Sequence, residues 1–167
     1  MHIRSIRVAV ATIALAACAH RDPTSTAPGA GSADFGTLNA AKLVLVADGG
    51  IAALHTQYSV DHDTRAYAYS QRHICTVDCG APIDSASGTL TAAAADSLFS
   101  LVWAQAPYGL RDDYGTTSQA ADMMTYTLSV TFEGNAKTIR ADDGTMPEAM
   151  RKMVEATRGI VAAARGK

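Results

Sequence analysis

Three cysteines are the residues of this sequence best suited to covalent or metal chemistry. Cys18 ends a short hydrophobic stretch, and Cys75 and Cys79 lie four positions apart further along the chain. In an exported protein this even pair predicts a disulfide that closes a small loop, because the compartment is oxidising. The alternative is a metal site in which His73 joins the two cysteines.

Histidines and acidic residues offer a second possible metal site. His55, His62 and His73 lie on or beside neighbouring predicted strands, so two of them could face each other. Asp61 or Asp63 could then supply the third ligand of a zinc site. Exposed histidines on a polar strand face are the simpler explanation, and we therefore predict no metal site.

Recognisable catalytic motifs are missing from the sequence. It has no Gly-x-Ser-x-Gly elbow, no His-Glu-x-x-His pair and no phosphate-binding loop. Asp112-Asp113, Asp122 and Asp142-Asp143-Gly144 lack the alternating acids of a full calcium loop. We predict that the protein is not an enzyme and has neither catalytic residues nor a cofactor.

The first 18 residues read as an export signal. Arg4 and Arg7 precede an apolar run from Val8 to Ala17 that is too short to span a bilayer. Leu15-Ala16-Ala17-Cys18 resembles a bacterial lipobox, which implies cleavage after residue 17 and acylation of Cys18. The resemblance places the protein in the cell envelope, anchored to a membrane by lipid. Ala19 favours the outer membrane if the cell is Gram-negative.

Composition suggests one small domain on a tether. The net charge is −2, and it becomes −4 once residues 1–17 with Arg4 and Arg7 are removed, which argues against a nucleic-acid partner. Residues 18–38 are rich in proline, glycine and small polar residues, so we predict a flexible tether with a reach of roughly 25 Å. Residues 39–167 remain as a single domain.

Hydrophobic alternation predicts three sequential strands in the first half of this domain. They are Leu43–Ala47, Ile51–Val60 and Thr64–Ile74, with turns at Asp48-Gly49-Gly50 and at Asp61-His62-Asp63. Short turns between sequential strands favour an antiparallel meander. A further short strand around Ser87–Leu90 could lead into the first helix.

The second half of the domain predicts a helix, a hairpin and a final helix. Thr91 is a good N-cap for a helix over residues 92–105. Met124–Phe132 alternates strictly between apolar and polar residues and is followed by a pairing strand over Ala136–Asp142. Pro147 suits the first position of the last helix, with Thr145 as a possible cap. The sequence therefore predicts an α+β fold: an antiparallel sheet of about five strands in the order β-β-β-α-β-β-α, with two amphipathic helices on one face.

Three tyrosines and the basic residues of the last helix each have two possible interpretations. Tyr58, Tyr67 and Tyr69 suit a recognition surface, but they also suit strand residues packed under a helix. The basic residues of the last helix could contact anionic lipid or a partner, and a solvated helix face explains them as well.

The order of these motifs resembles the emfourin-like proteins, small bacterial inhibitors of thermolysin-like metallopeptidases. The resemblance covers about residues 42–167. It rests on a hairpin turning at Gly49-Gly50, on Gly88-Thr89-Leu90-Thr91 opening a helix, on the segment from Asp122 to Leu128, and on Pro147 opening the last helix. The chain differs from the family by its lipobox, by a long second hairpin and by the loop between Cys75 and Cys79.

The resemblance implies a binding module whose partner is a secreted or periplasmic metallopeptidase. Such inhibitors place a rigid loop in the substrate cleft, and the turn formed by Asp48, Gly49, Gly50 and Ile51 suits this role because glycines permit close backbone approach. The alternative is a structural or metal-handling lipoprotein of the envelope that has no enzyme target.

Overall fold

The computed structural model describes residues 40–74, 80–115 and 122–166, and these form a single sheet with two helices. The strands within these ranges are β1 (Lys42–Gly49), β2 (Leu54–Asp61), β3 (Ala66–His73), β4 (Asp84–Thr89), β5 (Met124–Phe132) and β6 (Asn135–Asp142). The helices are α1 (Ala92–Ala104) and α2 (Glu148–Ala164), and a short 3-10 turn, Pro107–Gly109, follows α1.

The sheet is antiparallel throughout its named strands, in the order β4-β3-β2-β1-β5-β6. The α+β fold with an antiparallel sheet is therefore confirmed. The sheet has six strands rather than about five, because β4 pairs along its whole length with the outer edge of β3. Strand β1 lies in the centre, between β2 and β5.

Alternation along the strands separates a buried face from an open face. On β5 the buried positions are Tyr126, Leu128, Val130 and Phe132, and the threonines and serine between them are half-buried. Because directly paired residues share a face, the buried face continues across β1 and β6. The core on that face includes Leu43, Leu45, Val60, Leu128 and Ile139, all fully buried.

Both helices pack on the buried face, as predicted. Helix α1 contributes Leu98, Phe99 and Val102, and α2 contributes Met150 and Met153. The Thr91 hydroxyl accepts a hydrogen bond from the Ala94 backbone N–H at 3.2 Å, so the predicted N-cap of α1 is confirmed.

The start of α2 differs from the prediction. Pro147 occupies the N-cap position rather than the first helical position, and the cap has no side-chain hydrogen bond. The Thr145 hydroxyl instead donates to Gly115 and Asp142, and Asp142 accepts from the backbone N–H of Gly144. The acidic segment Asp142-Asp143-Gly144 thus forms a turn before the helix.

The three tyrosines lie under α2, which favours the packing interpretation over a recognition surface. Tyr67 and Tyr69 are buried, and Tyr58 lies 5.2 Å from Tyr69 between ring centroids. Arg165 covers the Tyr69 ring at 3.6 Å and forms an ion pair with Asp84 at 2.5 Å. Burial raises the pKa of Tyr58, with Arg158 opposing the shift. The end of α2 is therefore clamped to the outer strands.

The edge of β6 is partly covered by the segment after α1. Tyr114 donates its backbone N–H to Arg140 at 2.9 Å, and the Arg140 backbone N–H donates to Asp112 at 2.8 Å. Asp112 and Asp113 therefore serve this edge contact, and the Asp112 carboxylate also pairs with Lys137. Covering an edge in this way limits its pairing with other chains.

Candidate functional site

The connection between β1 and β2 lies at one end of the sheet and differs from the predicted turn. Asp48 and Gly49 still belong to β1, since they pair with β2 on one side and β5 on the other. The turn is the four-residue segment Gly50–Ala53, called here the Gly50–Ala53 loop. Ile51, predicted to begin the second strand, lies on this loop and its side chain is 90% exposed.

The backbone of the Gly50–Ala53 loop is fixed from several sides. Gly50 donates its N–H to the Met123 carbonyl at 3.1 Å, and Ala53 donates to the Gly50 carbonyl at 2.9 Å. Ile74 donates its N–H to the Ala53 carbonyl at 2.6 Å. The loop therefore bonds to the chain before β5 and to the chain after β3. Such anchoring lowers the entropy that a partner would have to remove on binding.

Gly49 is required by this packing. Its φ is +119°, and a Cβ atom there would lie 2.4 Å from the Met123 carbonyl oxygen. Gly50 also has positive φ, at +72°, but the nearest atom to a Cβ there is the Met124 sulfur at 3.1 Å. The glycine pair thus brings the loop close to β5, as expected for backbone approach without side chains.

A side-chain contact between Asp48 and His55 joins the two strands at the base of the hairpin. The Asp48 Oδ1 and His55 Nδ1 atoms are 2.6 Å apart, and the two residues are directly paired across β1 and β2. Both side chains lie on the open face of the sheet and are partly exposed. The predicted partner-binding residue Asp48 is therefore already engaged within the chain.

The start of β5 is held by Asp143. Its Oδ2 atom accepts the Met124 N–H at 3.0 Å, while its backbone N–H donates to the Met124 carbonyl at 3.2 Å. Burial raises the pKa of the nearby Tyr126, and the Asp143 carboxylate adds to the increase. This contact extends the fixed framework from the loop to the turn before α2.

Two further exposed isoleucines lie at the same end of the sheet as the loop. Ile74 follows β3 and is 46% exposed, and Ile83 precedes β4 and is 53% exposed. Both connections emerge at the same end of the sheet as Ile51, since β3 ends and β4 begins there. This end therefore presents apolar side chains that the core does not absorb. Sequence reasoning found Ile51 but missed Ile74 and Ile83, because a single isoleucine at a strand end normally indicates core.

The histidine site considered as an alternative in the sequence does not assemble. His55 pairs with Arg72 and His73 pairs with Leu54, so His55 and His73 project from opposite faces of the sheet. His62 lies at the other end of β2, where Nε2 contacts Asp96 Oδ1 at 3.0 Å. Among the described residues no group of three histidine, cysteine, aspartate or glutamate side chains is placed to hold a metal ion.

The candidate zinc ligands Asp61 and Asp63 have other contacts. Asp61 Oδ1 accepts hydrogen bonds from the backbone N–H and the hydroxyl of Thr64, and these bonds lower the pKa of Asp61. Asp63 accepts the backbone N–H of Ala40 at 2.7 Å. Asp61 therefore shapes the turn between β2 and β3, and Asp63 joins this turn to the chain before β1.

Several predictions concern residues outside the described ranges. Cys18, Cys75 and Cys79 lie there, as do the signal peptide and the tether predicted for residues 1–38. The lipid attachment, the disulfide and its metal-binding alternative with His73 remain predictions. Within the described ranges, neither helix is long and apolar enough to span a membrane.

Fold and site together define an α+β domain that presents a fixed loop with an exposed apolar tip. A family model described as Emfourin matches residues 76–158, and this match supports the emfourin-like domain predicted from the motifs. The family consists of inhibitors rather than enzymes, which agrees with the prediction of a non-enzymatic binding protein. No curated protein matches the chain significantly.

The matched range has a structural consequence for the site. It contains β4, α1, β5, β6 and most of α2, but it excludes β1 and β2 and therefore the Gly50–Ala53 loop. The family match alone does not assign the loop a role. The loop is nevertheless bonded to the matched part of the chain through Gly50 and Met123.

Proposed function

We propose that this chain is a lipid-anchored protein inhibitor of a thermolysin-like metallopeptidase, and that Asp48, Gly49, Gly50 and Ile51 form the segment that contacts the target. The observation that carries the proposal is the 90% exposure of Ile51 on a loop whose backbone is hydrogen-bonded on both sides. The emfourin match supports a metallopeptidase partner in general.

Each residue of the segment has a distinct part in the proposed contact. Ile51 supplies apolar surface, and burying an isoleucine side chain fully contributes roughly 1.5–3 kcal/mol. Gly49 and Gly50 bring the loop against β5, which fixes its position. Asp48 holds the base of the hairpin through His55, so a direct contact between its carboxylate and a metal would require breaking that pair.

Lipid on Cys18 would keep the inhibitor at a membrane of the cell envelope. A tether of about 20 residues gives the domain a reach of roughly 25 Å from the membrane. Two or three acyl chains make such anchoring effectively stable. The inhibitor would then act on peptidases that approach the envelope, and its local concentration there would be high.

Inhibition tests the proposal directly. The purified full chain should inhibit thermolysin, or a thermolysin-like peptidase of the same organism, reversibly and with one-to-one stoichiometry. Replacing Ile51 by Asp should weaken inhibition about tenfold or more, because a charge replaces the apolar contact. The melting temperature should stay unchanged, since the side chain is exposed.

Ile51→Leu is the matched control, because it keeps the apolar surface and should inhibit like the wild type. Ile51 is also a cleaner test position than Gly50, whose positive φ would strain any other residue. If the wild-type chain inhibits none of these peptidases, the proposed function is wrong. If it inhibits and Ile51→Asp inhibits equally well, the function stands and the loop assignment is wrong.

A further inference from the structure

Three aromatic side chains meet in a cleft at the other end of the sheet. Trp103 comes from the last turn of α1, Tyr108 from the 3-10 turn, and Phe132 from the end of β5. With Glu133, Asn135 and Ala136 they line a cleft of about 430 Å³, within the range of small-molecule sites. Nine residues of β5 separate this cleft from the Gly50–Ala53 loop, a distance of roughly 25 Å.

The rings form a concave aromatic surface that is open to solvent. Phe132 is buried, and the Trp103 and Tyr108 side chains are 44% and 41% exposed. Their rings are inclined by 73° and 60° to the Phe132 ring, with centroid distances of 5.2 and 6.4 Å. The Tyr108 hydroxyl donates to the Asn135 carbonyl at 2.7 Å, so this ring is fixed in position.

Glu133 is the charged side chain that lines the cleft. It occupies a two-residue hairpin turn in which both Glu133 and Gly134 have positive φ, at +50° and +80°. Such a turn favours asparagine or glycine at its first position, so the positive φ of Glu133 lowers the stability of the turn by about 1 kcal/mol. No other described residue forms an ion pair with Glu133. The nearby Lys137 is paired with Asp112.

Cations cover aromatic rings at two other places in the described chain. Arg165 lies over Tyr69 at 3.6 Å, and Arg111 lies over Tyr114 at 4.5 Å. The rings of the cleft have no such cation among the described residues. Aromatic faces attract cations through the ring quadrupole, and tryptophan does so most strongly. The cleft therefore combines the elements of a cation site without an internal cation.

We infer that this cleft binds an organic cation that carries a quaternary ammonium group. A primary ammonium ion is compact and strongly hydrated, and it would have to exchange its water for up to three hydrogen-bond acceptors, whereas three of the six lining residues are aromatic. A quaternary ammonium group needs no acceptors, because its methyl groups contact ring faces while its charge is balanced by Glu133. The carboxylate disfavours anions for the same reason. This inference is independent of the proposed peptidase inhibition, which involves the opposite end of the sheet.

Trp103 allows the inference to be tested by intrinsic fluorescence, because it is the single tryptophan of the chain. Titrating the full chain with choline chloride should change the emission and saturate. In the neutral carbon analogue of choline, a tert-butyl group replaces the trimethylammonium group. This analogue should bind at least about tenfold more weakly than choline. An equal response to the two compounds, or no response to choline, would overturn the inference.

Two variants keep the fluorophore and separate charge from shape. Glu133→Gln should raise the dissociation constant for choline about tenfold, and Tyr108→Leu should do the same by removing a ring face. Glu155→Gln changes an exposed acid on α2 and should leave choline binding unaltered. Unchanged choline affinity in folded Glu133→Gln would overturn the inference.

Vesicle binding tests whether the ammonium group belongs to a lipid headgroup or to a soluble ligand. The Cys18→Ser full chain, which cannot use its own lipid, is sedimented with phosphatidylcholine vesicles and with phosphatidylglycerol vesicles. Sedimentation with phosphatidylcholine alone identifies a lipid headgroup, while a response to free choline without sedimentation identifies a soluble ligand. Either result supports the shared chemistry. Sedimentation with phosphatidylglycerol alone, combined with no choline response, contradicts it.

Discussion

At the scale of single residues, Gly49 and Gly50 have different tasks although they are adjacent. Gly49 lies in the strand at a point where a Cβ atom would collide with the Met123 carbonyl oxygen, so both its positive φ and its missing side chain are needed. Gly50 mainly supplies the positive φ with which the loop begins. The Gly49-Gly50 dipeptide looks like a simple turn in the sequence, but its first residue lies in β1 and packs against Met123.

Replacing Gly49 by Ala should lower the free energy of unfolding by about 2 kcal/mol or more. Positive φ costs an alanine about 1 kcal/mol, and the contact with the Met123 oxygen adds to this cost. Gly134→Ala is the matched control, because Gly134 also has positive φ but nothing lies near its missing Cβ atom. Urea unfolding measures both variants. Equal losses in the two variants would show that the close approach to Met123 is unimportant.

At the scale of elements, the central position of β1 decides which parts of the chain can fold alone. The segment matched by the family model supplies β4 at one edge of the sheet and β5 with β6 at the other. The strands that join these edges are β1, β2 and β3, and they precede the matched segment. Fully buried residues such as Leu43, Leu45 and Val60 belong to them.

Residues 76–158 alone should therefore fail to fold, whereas residues 39–167 should fold cooperatively. The shorter fragment loses the strands that join its edges, and it ends at Arg158, inside α2. Circular dichroism during thermal unfolding distinguishes the two outcomes. A cooperative transition in the shorter fragment would show that a stable sheet forms without β1, and would contradict this prediction.

At the scale of the whole molecule, the two proposed binding sites lie at opposite ends of one sheet. The Gly50–Ala53 loop and the aromatic cleft are separated by the length of β5. A partner held at one end therefore leaves the other end accessible. Anchoring through Cys18 would bring both ends near the membrane without fixing the orientation of the domain.

Replacing Cys18 by Ser should release the protein from membranes or leave its signal unprocessed. The reason is that the serine hydroxyl cannot form the thioether that carries the diacylglycerol. Membrane fractionation and intact-mass spectrometry measure the outcome, with the wild-type chain as control. A wild-type protein that carries no lipid and stays in the soluble fraction would contradict anchoring, and would leave the peptidase proposal to be judged by inhibition alone.

Elements with strong local patterns were predictable from the sequence. The alternation of β5 gave its bounds and its buried face, because a strand with one face in the core must alternate. Thr91 and the apolar spacing after it gave α1 to within one residue, because the cap hydrogen bond is local. The α+β class followed from the order of these elements.

The candidate site was only partly predictable. The sequence placed the turn at Asp48-Gly49-Gly50, but pairing with both β2 and β5 extends β1 through Gly49 and moves the turn onto Gly50–Ala53. The exposure of Ile51 follows from that shift. The spacing of residues in the sequence does not show the shift, because the shift depends on pairing between Gly49 and Met124, which lie 75 positions apart.

By itself the sequence determined the local structure: which segments are helices, which strands alternate, and which face of each is apolar. Only the tertiary structure decided which distant segments meet. It extended the short strand expected around Ser87–Leu90 to Asp84–Thr89, although this sequence lacks apolar alternation, because β3 offers an unpaired edge of backbone hydrogen-bonding groups. It also brought Trp103, Tyr108 and Phe132 into one cleft from three separate elements. Local patterns are set by periods of two and 3.6 residues, whereas contacts between elements depend on strand order, which no short stretch of sequence encodes.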